Sequence, residues 1–224
     1  MTQPVAPARK PVVGIALIYA CVLIAAWIGA WMLSLYLEKH AILPATQFAR
    51  FVYWTVLRVL IWVLPSVAII RRSGRRFRDA LGAGRIRSAL LWGGVSGVLV
   101  GCTTLIFRAV RGMPLFSIDW SWALLTAVVV GPIVEEITFR GAVLGALEAR
   151  CSFAVSNLIT GVLFLLIHFP GWYFQGALMR NLVSPVGGAL SVLLLGWLFG
   201  YIAHRSKSLA GGILVHMLNN FFAA

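Results

Sequence analysis

From Val12 to Leu37 the chain runs 26 residues without one charged side chain, and about 20 apolar residues are enough for a helix to cross the hydrocarbon core of a bilayer. Inside lipid every backbone N–H and C=O must find a partner within the protein, so a lone apolar run of this length can only be a helix. The run is not an exception. Of the 224 residues 61% are hydrophobic and 11% charged, too few charges to coat a water-soluble globule of this size. The expected fold class is all-α, a polytopic transmembrane helical bundle of about seven spans, with six to eight as the range. The expected runs are 12–37, 51–70, 88–107, 122–147, 153–168, 184–203 and a short 209–222. Arg9 and Lys10 ahead of the first run resemble the start of a secretory signal, but the apolar stretch is too long and lacks a small-residue cleavage site, so it is expected to remain as an anchor.

The 19 Lys and Arg outnumber the 6 Asp and Glu, yet they flank the apolar runs instead of forming a patch interleaved with aromatics, which argues against a nucleic-acid partner. Over seven spans, 12 basic residues fall on the side of the N-terminus and 5 on the other, so the N-terminus is expected in the cytoplasm, in a bacterial inner membrane. The densest segment holds Arg71, Arg72, Arg75, Arg76, Arg78, Arg85 and Arg87. It is expected to fix topology and to contact anionic lipid. Gly82 and Gly84 within it follow no strand and make no nucleotide fingerprint. Cys21, Cys102 and Cys151 have no spacing suited to a disulfide or metal and read as small core residues. Gly93, Gly97 and Gly101, four apart, read as a close helix–helix contact.

An ionisable group at membrane depth costs about 2.5–3.5 kcal/mol even on the lenient insertion scale, and here such groups cluster late in the chain. Glu135, Glu136 and Arg140 lie in the fourth run, His168 ends the fifth, and His216, Asn219 and Asn220 lie in the seventh. At about 100° per residue Glu136 and Arg140 share a helical face and can neutralise one another, while Glu135 is turned away and remains for chemistry. The alternative for these three is a structural ion network. Counted from the cytoplasmic helix ends, Glu135 lies roughly 20 Å deep, His168 about 22 Å, His216 about 10 Å and Asn220 about 17 Å, depths that overlap enough for one site. His204, beside Arg205 and Lys207, is expected to be solvated and non-catalytic.

A carboxylate beside a neutral imidazole can deprotonate water, and a second His with an Asn can stabilise the oxyanion formed when that water attacks an amide. There is no Gly-x-Ser-x-Gly elbow, no nucleophile-signature cysteine and no His-Glu-x-x-His helix, which disfavours the commoner hydrolytic templates. Glu135, His168 and His216 are also a formal two-histidine, one-carboxylate zinc set. Arg58, isolated in the second run, is expected to pair with a helix terminus or snorkel in preference to binding a substrate carboxylate. Trp172, Tyr173 and Phe174 read as an interfacial belt in preference to a lid. A transporter or proton relay would use the same buried groups, though no inverted repeat is visible, and a non-catalytic immunity or scaffold protein would keep the fold alone.

Three short patterns, in order, resemble the CAAX-protease and bacteriocin-processing (CPBP, or Abi) membrane proteins: Glu-Glu-x-x-x-Arg at Glu135, Glu136 and Arg140, Phe-x-x-x-His at Phe164 and His168, and His-x-x-x-Asn at His216 and Asn220. Ser208 and Leu209, with Gly196 and Gly200, are similar to the family's usual pattern. The resemblance covers roughly Trp122 to Phe222. It implies an intramembrane endopeptidase acting on a membrane-associated peptide or protein, with Glu135 and His168 activating water, His216 and Asn220 binding the oxyanion, and Glu136, Arg140 and Phe164 in support. Members often carry the name metalloprotease, although the glutamate-type mechanism needs no metal, so no cofactor is favoured and zinc is the alternative. The division expected is residues 1–121 as N-terminal membrane helices with the basic loop, and 122–224 as the catalytic core. Two departures bear on substrate choice: the chain ends just after the seventh run where some members have an eighth helix, and its first third shows no family motif.

Overall fold

The computed structural model describes residues 11–116 and 119–224, so Arg9 and Lys10 lie outside the described residues. Among the described residues six helices are long and apolar enough to cross a membrane: α1 (Val12–Lys39), α2 (Gln47–Arg72), α3 (Ile86–Val110), α4 (Trp122–Leu147), α5 (Phe153–Phe174) and α6 (Ala189–Ser206). The shorter apolar α7 (Leu209–Ala223) follows, and these residues contain no strand. The all-α bundle is as expected, with several shifted boundaries, the largest at α5 and α6. Helix α5 runs on to Phe174, with its regular ladder interrupted at Ile167, as suits a helix containing Pro170, which lacks an N–H for the preceding turn. Helix α6 starts at Ala189, because residues 184–188 include Pro185 and a left-handed Gly187 and form a turn.

Four helices open on a hydroxyl cap that satisfies one of the first unpaired N–H groups. Thr46 accepts from Ala49 at 3.2 Å, Ser121 from Leu124 at 3.2 Å, Ser152 from Val155 at 3.5 Å and Ser208 from Ala210 at 3.1 Å. The α6–α7 turn closes tightly through a left-handed Lys207. Ser208 also donates to the Leu81 carbonyl at 2.8 Å, tying α7 to the basic loop.

Helix α4 is the centre of the bundle: it touches α1, α2, α5, α6 and α7, and every residue from Ile137 to Leu144 is buried. The glycine stripe on α3 is a contact surface, as its spacing suggests. A Cβ at Gly93 would fall 2.4 Å from the Gly211 carbonyl, and one at Gly97 2.4 Å from the Leu218 side chain, both on α7. The arginine loop is partly structural. Arg75 donates to the Gly141 carbonyl of α4 and Arg85 to the Lys207 carbonyl at 3.0 Å. Burial pulls the Arg75 guanidinium below its ordinary pKa, and Glu148 opposes that shift.

Two prolines shape the helices beside α4's polar residues. Before Pro132 the turn Thr126–Val130 widens to a π-helix, with the Gly131 N–H reaching five residues back to Thr126. The next carbonyl in that pattern, Ala127, faces residue 132, which has no N–H to give. On α2 the turn Arg58–Val63 widens in the same way before Pro65. There the Tyr19 hydroxyl of α1 lies 2.8 Å from the Trp62 carbonyl and 3.2 Å from Ser66, which in turn donates to Thr138 of α4 at 3.2 Å.

Candidate active site

The adjacent carboxylates of α4 have different surroundings. Glu136 is fully buried, and its Oε1 accepts from Arg140 Nη1 at 2.8 Å and from His216 Nδ1 at 3.0 Å. Arg140 also donates to the Gly196 carbonyl of α6, and its guanidinium lies over Phe164, 4.5 Å from the ring centroid. Gly212 of α7 faces the other Glu136 oxygen: a Cβ there would sit 2.8 Å from Oε2. Glu135 is turned toward a cavity of about 550 Å³ that it lines together with His168, His216, Asn219, Asn220 and Arg58. The helical-face expectation for the two glutamates therefore matches their placement.

His216 is buried on α7, its ring stacked on Phe199 with centroids 4.3 Å apart. Because Glu136 is already paired with Arg140, its carboxylate accepts, and His216 Nδ1 must carry the donated hydrogen. That leaves His216 Nε2 facing the cavity, 3.8 Å from Glu135 Oε2. His168 is fixed by the same logic. Its Nδ1 lies 2.7 Å from the Phe164 carbonyl, which can only accept, so Nε2 holds the ring's lone pair when the imidazole is neutral. Phe164 thus supplies a carbonyl that orients His168 and a ring face for Arg140.

Asn220 has a partner that its spacing gave no sign of. Its Nδ2 donates at 2.8 Å to the Ala127 carbonyl, the group facing Pro132, and its Oδ1 accepts from Asn219 at 2.9 Å. One amide hydrogen remains for a ligand. His204 lies apart, 2.8 Å from Glu148 and stacked on Phe153 at 4.0 Å, so it takes no part in this cavity. Of the aromatic run after His168, Trp172 lies 5.8 Å from the His168 ring and Phe174 stacks on Trp31 of α1, while Tyr173 is exposed.

For zinc, Glu135, His168 and His216 would have to aim free donor atoms at one point within about 2.0–2.2 Å. Among the described residues no group of three or more His, Cys, Asp or Glu side chains is arranged to hold a metal ion.

The placement of Arg58 differs from expectation. Among the described residues it has no helix-terminus partner: it lines the cavity with Nη1 buried and without a hydrogen-bond acceptor, and its guanidinium sits 5.3 Å from the Trp27 ring. The wide turn that begins at Arg58 helps set which way it faces, and a count along an ideal helix does not include that turn. Gly212 carries no signal in the sequence, because it matters through Glu136, a neighbour remote in the chain.

Residues 117–222 match the family described as "Type II CAAX prenyl endopeptidase Rce1-like". The chain is also similar to "Putative membrane peptidase YdiL" of Bacillus subtilis (strain 168), 28% identical over 120 residues. That similarity covers 54% of this chain and 40% of the relative, so less than half of the relative's length is represented. No solved structure matches.

Proposed function

Since the chain belongs, through its C-terminal half, to the CAAX-protease and bacteriocin-processing membrane proteins, we propose that it is a glutamate-dependent intramembrane endopeptidase hydrolysing a peptide bond of a membrane-associated peptide or protein. The observation that carries this reading is the meeting of Glu135, His168, His216 and Asn220, from three helices, on one cavity inside the bundle. In the reaction Glu135 and His168 Nε2 hold a water. Glu135 takes its proton as the oxygen attacks the scissile carbonyl carbon, and the same proton passes to the departing amine when the C–N bond breaks. A hydrogen on His216 Nε2 joins the remaining Asn220 N–H in holding the oxyanion. Glu136 positions His216, and Arg140 holds Glu136 in place.

The cavity mouth is formed by the starts of α2 and α4, with Gln47, Arg50, Trp54 and Trp122, and by the end of α7. The arginine-rich segment lies past the opposite end of α2. With the N-terminus in the cytoplasm, substrate enters from the extracytoplasmic face.

The test is Glu135→Gln in purified protein. The expected result is a loss of peptide hydrolysis of at least about 100-fold, the lower range for a removed acid–base group, with little change in thermal stability because Glu135 faces the cavity and its contact with His216 Nε2 is long, 3.8 Å. Hydrolysis at the wild-type rate would sink the mechanism. Exhaustive chelation is expected to leave the wild-type rate intact, whereas loss of activity restored by added zinc would assign the chemistry to a metal.

A further inference from the structure

We propose that Arg58 is the receptor for a carboxylate group of the substrate, an inference that rests on the peptidase reading above. Two basic residues besides the histidines line the cavity, Arg50 and Arg58. Arg50, at the mouth, is already paired with Glu38 at 3.2 Å. Arg58 makes no ion pair among the described residues, and its Nη1 is shielded from solvent without an acceptor.

A guanidinium in a partly dry cavity, sharing it with Glu135 but not within ion-pair distance of that carboxylate, is incompletely compensated, and its planar fork of N–H donors matches one partner best, a carboxylate bound by two parallel hydrogen bonds. Its orientation is prepared. The Trp27 ring of α1 lies beneath it at 5.3 Å, and Trp27 packs in turn against Trp54 and Trp62 of α2, with centroids 5.1 Å away in each case. Depth also suits a substrate group next to the reacting bond. Arg58 lies 11 residues into α2 and Glu135 13 residues into α4 from the ends at the mouth, roughly 16 Å and 20 Å down at 1.5 Å per residue. The carboxylate comes either from the peptide's C-terminus or from an acidic side chain, and the two are chemically separable.

The experiment measures binding of a dansylated library of short apolar peptides to the full-length Glu135→Gln protein in detergent, so that bound peptide is not consumed. Peptides with a free C-terminal carboxylate are compared with their amidated copies, and amidated peptides containing one internal Glu with their Gln twins. The expected result is about 10- to 100-fold tighter binding of one acidic set, the scale of a charge-assisted hydrogen-bonded pair. That preference should vanish in Arg58→Gln and survive in part in Arg58→Lys. The set that shows it identifies the source of the carboxylate.

Equal binding of acids and their neutral twins, or none of either, overturns the inference, as does a preference that persists in Arg58→Gln. If Arg58→Gln fails to fold, the comparison of acid with amide on the Arg58-containing protein still decides, because it needs no second substitution. A drop in wild-type turnover in Arg58→Gln with no acid preference would assign Arg58 to the charge balance of Glu135 instead, and also overturns it. Binding does not depend on turnover. Carboxylate preference without hydrolysis by the wild-type protein would reject the peptidase reading and keep the Arg58 site, whereas hydrolysis without preference would do the reverse.

Discussion

Neighbouring residues of identical chemistry, Glu135 and Glu136, have separate tasks because one step along a helix turns a side chain by about 100°. Glu136 points into the protein, where among the described residues Arg140 and His216 compensate it. Removing one partner of a buried ion pair leaves the other charge uncompensated, at a cost of about 3–5 kcal/mol. Glu136→Gln is therefore expected to lower thermal stability sharply, unlike Glu135→Gln, and Arg140→Met added to it should recover much of the loss. Thermal unfolding of the four proteins in one detergent checks this, and equal stability of the two single glutamine variants would contradict it. The Glu136–Arg140 pairing was legible from spacing alone. The bond from Glu136 to His216 was not, because the two residues are 80 positions apart and meet only when α7 packs on α4.

Among the elements, wide turns before prolines govern how the cavity is lined. Pro132 leaves the Ala127 carbonyl without a backbone donor, and Asn220 supplies one. Two duties thus fall on Asn220: it closes a gap in α4, and in the proposed reaction it binds the oxyanion. A double-mutant cycle separates them. Asn220→Ala is expected to destabilise by about 1 kcal/mol, since the carbonyl borders the cavity and water can partly replace the amide. Pro132→Ala, which restores an N–H, should reduce that penalty. Peptide hydrolysis should stay low in the double variant. Recovery of activity along with stability would mean that Asn220 serves only the helix. The sequence displays Pro132 and Asn220 plainly, but their link passes through a hydrogen-bond register that changes from four residues to five.

For the whole molecule, charge distribution and cavity direction together predict the side from which a substrate would arrive. In the proposed orientation the N-terminus and the arginine-rich segment are cytoplasmic, and the exposed cavity residues Gln47, Arg50 and Trp122 lie at the other end of α2 and α4. In a variant with Cys21, Cys102 and Cys151 replaced, a cysteine at Gln47 should react with a membrane-impermeant thiol reagent added outside intact cells, whereas one at Arg78 should react only after lysis. The reverse pattern would turn the site toward the cytoplasm. Several arginines of that segment also have packing roles the charge count does not show, as with Arg75 against Gly141 and Arg85 against the Lys207 carbonyl.

Long uncharged runs, serine and threonine caps, the glycine stripe on α3 and the clustering of ionisable groups in α4, α5 and α7 were all decided by sequence, because lipid forces each span to satisfy its own backbone and makes every stray charge conspicuous. The tertiary structure alone decided that Glu136 holds His216, that Asn220 answers Pro132, and that Arg58 faces the cavity with Nη1 lacking an acceptor among the described residues. Those are relations between helices, fixed by packing and by shifts in helical register, and no periodicity within a single helix encodes them.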